Sequence, residues 1–285
     1  EKARALRGHR PVRDAHRLED ELVLATPPPI GGARNLGPGR LRLVQGVLAI
    51  LSRVPTIPDH VLVFVMVLVL PALGAKLGLE RIRRRIRSGR PDPRVRAYVF
   101  SMLQQWTLAA ACILIWVHNG RSGKDLGLAT PAGTGFWITA VLAALGTVFL
   151  LRQARAVVRD PELQAQVREK LGRTEALIPR SPREAAVFDG LSLTAGVCEE
   201  LLYRGFLTWY LSCYLPLAAA YLAAPWVFGL GHAYQGPKGV LLTAVIGLVM
   251  SAMYFVGGSV WVPMAFHAFF DVHNGRLGRN AFASA

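Results

Sequence analysis

Uncharged apolar runs alternate along this chain with short arginine-rich connections. A helix that crosses a bilayer needs about 20 mostly apolar residues. Runs of that kind lie at 61–79, 97–117 and 136–151, and again at 215–230, 240–256 and 260–272. A seventh helix starts at Ser181-Pro182-Arg183-Glu184, where a serine N-cap, a proline at the first helical position and a glutamate three residues on form a capping box; it runs to about residue 210. Pro71 is expected to kink the first run. Asp160-Pro161-Glu162 opens a shorter amphipathic helix, placed at the membrane interface. The pattern predicts an all-α, polytopic membrane helix bundle of about seven transmembrane helices plus that interfacial helix.

Five segments follow. Residues 1–55 mix Arg with Asp and Glu and pass through Pro27-Pro28-Pro29, which reads as a flexible basic tail. The apolar stretch 43–51 within it is too short to span. No charged-then-apolar leader with a small-residue cleavage site is found, so no signal peptide is expected. Residues 56–155 hold the first three spans, 156–180 the interfacial helix, 181–275 the polar-bearing helices, and 276–285 a C-terminal tail.

Composition sharpens this picture. The 285 residues are 52% hydrophobic and 18% charged, with mean hydropathy +0.34. Soluble domains carry about 25% charge. The net charge of +15 comes mainly from arginine, since only Lys2, Lys76, Lys124, Lys170 and Lys238 are lysines. The arginines crowd into connections, as in Arg81, Arg83, Arg84, Arg85, Arg87, Arg90, Arg94 and Arg96, and form no continuous phosphate-binding face; no nucleic-acid partner is expected. The connections after the first and third spans and the C-terminal end fall on one side, which the positive-inside rule makes cytoplasmic. The basic N-terminal tail would then lie on the other side, against the rule. Cys112, Cys198 and Cys213 fit neither a disulfide framework nor a metal ribbon, and read as packing residues.

Ionisable groups inside a span cost about 2.5 to 3.5 kcal/mol each on insertion scales. They are nearly absent from the first three spans and recur in the last four. Glu199, Glu200 and Arg204 share one helix, where Glu200 and Arg204 at i and i+4 can form an ion pair and Glu199 has no cation on its own face. Phe228 and His232 stand one turn apart at the end of the fifth span, with Gly229 and Gly231 permitting close helix approach. His267 and Asp271 stand one turn apart on the last span, so the carboxylate can fix the imidazole tautomer. His273 reads as a surface residue. A glutamate with a histidine can activate water as a general base, and further donors can stabilise an oxyanion. There is no G-x-S-x-G and no H-E-x-x-H. Zinc at Glu199, His232 and His267 remains a chemical alternative. So does a proton-coupled transporter, which also uses intramembrane Glu, His and Asp.

In this order and setting, E-E-x-x-x-R, F-x-x-x-H and H-x-x-x-D resemble the CPBP family. That family takes in the CAAX prenyl endopeptidases of the Rce1 type and bacterial bacteriocin-processing (abortive-infection) proteins. The resemblance covers about 181–274. It implies an intramembrane endopeptidase acting on a membrane-anchored protein or peptide within the lipid bilayer, of CAAX type or processing a leader or sorting tail. It makes Glu199 the catalytic glutamate acting with His232, and Glu200 and Arg204 its supporting pair. His267 and Asp271 would line the oxyanion side, with Asp271 standing where the prenyl endopeptidases usually have asparagine. The glutamate–water mechanism it implies needs no obligatory metal. The topology set by the arginines puts His232 near the cytoplasmic end of its span, so the site is expected to be reached from the cytoplasmic side of a membrane read as a prokaryotic plasma membrane. A family member that has lost catalysis and serves as a scaffold or immunity protein is the other reading it leaves open.

Overall fold

The computed structural model describes residues 54–283, all of it helices and their connections with no strand among them. The N-terminal tail and the 43–51 stretch lie outside the described residues. The first helix, α1, spans Ile57–Arg87. It begins with Thr56 bonded to Asp59 in a capping box, with Pro58 in its first turn. It continues through Pro71, where a kink was expected, by means of two π-helical turns, Val65–Val69 and Gly74–Gly78. Proline removes one i to i−4 hydrogen bond and crowds the preceding turn, and widened turns on either side accommodate both effects.

Helices α2 (Pro93–His118) and α3 (Gly133–Arg159) follow. Asp160 then caps α4 (Pro161–Leu171) by accepting from the backbone N–H groups of Glu162 and Leu163. A 3₁₀ segment, Gly172–Leu177, leads to α5, Pro182–Glu199. The capping box forms as expected: Ser181 Oγ accepts from Glu184 N at 3.1 Å, and Glu184 Oε2 from Ser181 N at 3.3 Å. The same rod continues as a π-helical segment, Glu200–Leu207, and ends in α6, Thr208–Ser212. The remaining helices are α7 (Leu217–Gly231), α8 (Pro237–Gly257) and α9 (Trp261–Ala283).

Helices α1, α2, α3 and α8 are long and apolar enough to cross a membrane. Their outer faces present Phe100, Leu103, Leu114, Leu142, Phe149 and Leu242. Such faces need lipid to cover them, since a soluble protein rarely leaves so wide an apolar surface open. Among the described residues, four of the seven expected spans meet that length and composition. Helices α5 and α9 carry the ionisable residues, and α7 has only 15 residues. That is about 22 Å of helix against about 30 Å of hydrocarbon.

Two further expectations change. Residues 276–283 are the last turns of α9, with Ala281 fully buried and its carbonyl accepting from Arg168. His273 lies on the same helix and is buried, stacked on Phe269. In both cases α9 is packed against α5, α3 and α4, which covers a face that a free tail would have exposed. The short helix α4, expected at the interface, packs on α9 and buries Gln164.

The basic connections gather at one end of the bundle. Arg94 donates to the Ala176 carbonyl, Tyr98 to that of Leu177, and Arg183 pairs with Asp92. Arg276 reaches Asp189 and Arg180 lies over Phe282. At the other end, Arg121 makes a buried bidentate pair with Asp59, at 2.8 and 2.6 Å, and stacks on Trp209.

Candidate active site

The site forms where α5 changes into its π-helical segment. Glu199 closes the α-helical part and Glu200 opens the widened one, and π turns recur at functional sites. At 1.5 Å per residue, Glu199 lies about 25 Å along α5 from its basic end. Helix α9 comes very close here. A Cβ on Gly196 would stand 2.7 Å from the Met264 carbonyl oxygen and 2.8 Å from the Ala268 nitrogen, so only glycine admits this approach. That contact brings His267 over the two glutamates.

Glu200 and Arg204 form the expected i, i+4 ion pair at 2.9 Å, with side chains 0% and 1% exposed. Arg204 also donates to the Gly247 carbonyl on α8, and its guanidinium lies 4.4 Å from the Phe228 ring centroid. Glu200 Oε1 accepts from His267 Nδ1 at 2.7 Å. The carboxylate therefore settles the ring: Nδ1 carries hydrogen and Nε2 is turned into the site. Nε2 stands 3.9 Å from Glu199 Oε2 and 3.6 Å from Asp271 Oδ2. The tautomer-fixing contact thus comes from Glu200, across two helices, while Asp271 stands beyond direct hydrogen-bond distance. Glu199 and Asp271, with side chains 16% and 34% exposed, form the open edge, and Glu200 and Arg204 its sealed floor.

Phe228, on α7, joins the parts. Its ring meets Tyr203 at 5.1 Å, His232 at 4.8 Å and His267 at 6.0 Å between centroids. His232 follows the last turn of α7, with Nδ1 3.0 Å from the Phe228 carbonyl oxygen. A carbonyl can only accept, so Nδ1 is the protonated nitrogen and Nε2 keeps a lone pair. Gly229 lets α8 approach, since a Cβ there would stand 2.7 Å from the Val240 carbonyl oxygen. The turn holding His232 is half-buried throughout and meets Gly74 and Gly78 of α1.

Two further side chains reach the site, neither of them charged at neutral pH. Tyr203 packs between Phe228 and Gly231. Gln105, on α2, donates from Nε2 to Glu199 Oε1 at 3.1 Å. The available signal was the uncharged amide pair Gln104-Gln105 in the middle of an apolar span. Among the described residues, no three His, Cys, Asp or Glu side chains are arranged to hold a metal ion.

The family model described as type II CAAX prenyl endopeptidase Rce1-like matches residues 182–273. These residues form an Rce1-like segment. It opens at the first residue of α5 and ends on α9 at His273, so it contains Glu199, Glu200, Arg204, Phe228, His232, His267 and Asp271. Helices α1 to α4, Gln105 among them, lie outside it. The matched family is one of peptidases. With the apolar helices around the matched residues, the match marks the chain as an integral membrane protein. No curated protein and no solved structure matches the chain.

Proposed function

We propose that this protein is an intramembrane endopeptidase in which Glu199 and His232 activate a water against a peptide carbonyl. The observation that carries this reading is the meeting of Glu199 with His267 over the sealed Glu200–Arg204 pair, inside the Rce1-like segment. Water oxygen bonds to the carbonyl carbon as its proton passes to Glu199, with the His232 Nε2 lone pair orienting the water. His267, held through Nδ1, turns Nε2 toward the oxygen that gains charge, and its N–H when protonated donates there. Glu199 then returns the proton to the amide nitrogen as the C–N bond breaks. Asp271, at the open edge, keeps company with His267 and is not required as an oxyanion donor.

The chemistry calls for no obligatory metal. In this scheme Glu199 itself takes the proton of the water, so no metal is needed to generate the nucleophile. Cleavage is expected to survive 1,10-phenanthroline; loss of activity restored by added zinc would replace the water-glutamate scheme with a metal one.

The substrate is a membrane-associated protein or peptide, cut in a C-terminal CAAX-type tail or in a leader or sorting segment. Gathering of the basic connections at one end supports entry from the cytoplasmic side. With α5, α7 and α9 also embedded, the chain makes seven passes. The test compares the termini of membrane proteins in cells carrying the native chain or Glu199→Gln, which keeps size and removes the base. A precursor left uncut only in the variant is the expected result. Identical termini, with a biological phenotype that persists in the variant, would end the peptidase reading and favour a scaffold.

A further inference from the structure

Gln105 lies about 18 Å along α2 from Pro93, between Leu103 and Leu108 on an apolar helix. A primary amide at such depth is costly unless its hydrogen bonds are made. Only half of this one is satisfied. Nε2 donates to Glu199 Oε1 at 3.1 Å, while the Gln105 Oε1 is buried without a partner among the described residues. The nitrogen must face the carboxylate, because two oxygens with lone pairs would repel. Helix packing does not account for the residue, since α2 is already tied to α5 by Trp106 donating to Thr194, by Arg94 beside Glu184 and by Met102 against Gly190.

We propose that Gln105 is a positioning residue for the general base, supplied from outside the Rce1-like segment. Its amide holds Oε1 of Glu199, so that Oε2, on the His267 side at 3.9 Å from Nε2, is the oxygen that takes and returns the proton of the attacking water. Gln105 exchanges no atoms and keeps its bond to Oε1 while Glu199 is charged. A carboxylate free to rotate would offer either oxygen, at any angle, to the water. A small misplacement of a reacting group costs about a hundredfold in rate. The inference rests on Glu199 being the base.

The test reads the hydrogen bond and the chemistry separately. Isotope-edited infrared spectra of carboxyl-labelled glutamate, taken as the difference from Glu199→Gln, isolate the Glu199 carboxylate band in lipid nanodiscs. Gln105→Met, close in shape and without a donor, should move that band; an unmoved band overturns the proposal. On a quenched farnesylated CAAX-type peptide, Gln105→Met should lower kcat by about tenfold to a hundredfold with KM nearly unchanged. Gln105→Leu, also without a donor, should fall as far while keeping its thermal midpoint, since an apolar group replaces a half-satisfied amide. Full kcat in either variant overturns the positioning role. A band shifted in Gln105→Met, with a wild-type protein that cuts neither this peptide nor any membrane protein, would instead overturn the peptidase reading and the role of Gln105 in it.

Discussion

Glu200 and Arg204 hold opposite charges where water does not reach, and each completes the other's surroundings. Removing one partner of such a pair strands the other charge and costs about 3 to 5 kcal/mol. Arg204→Met should therefore lower the unfolding midpoint sharply, and a melt in nanodiscs measures it. Among the site carboxyls, the 2.7 Å bond to His267 singles out Glu200, while Asp271 stands off at 3.6 Å. Glu200→Gln should thus reduce kcat/KM far more than Asp271→Asn, which should keep most of the activity; equal losses would return the orienting role to Asp271. The Glu200–Arg204 pair was legible in the sequence because one helical turn sets it. The bond from Glu200 to His267 was not, because it joins residues 67 apart through the contact of two helices. Gln105 was passed over because it has no charge to draw attention at membrane depth.

At the scale of elements, the Gly196 contact decides whether α5 and α9 can bring Glu199, Glu200 and His267 together. Gly196→Ala would put a methyl group against the Met264 backbone, which cannot yield as a flexible side chain would. Overpacking of this kind costs about 1 to 3 kcal/mol. The expected outcome is a lower melting midpoint and a larger loss of kcat, as His267 moves away from Glu199. A variant with wild-type kcat would show that the spacing has slack. Helix starts at Ser181 and Asp160 were readable because capping is local chemistry. The π-helical segment at Glu200–Leu207 was not, since its extra width answers to packing on α7 and α2 and leaves no mark on the hydrophobic pattern. The same holds for the end of α9, where arginines suggested a tail and burial against α4 and α5 made a helix.

For the whole molecule, clustering of the arginine-rich connections gives a topology that can be checked in intact cells. Cys213 is exposed at the end away from that cluster, between α6 and α7, while Cys112 and Cys198 are buried. A membrane-impermeant maleimide should label Cys213 from outside, and Arg90→Cys only after the membrane is opened. The reverse pattern would turn the bundle over. Under the proposed peptidase function, the depth of Glu199 acts as a ruler on the substrate. From the basic end to Glu199 is about 25 Å, which a helical chain covers in about 17 residues and an extended one in about seven. On that proposal, a substrate entering from that end needs at least this reach clear of its folded part, and a tail shorter than about seven residues should stay uncut.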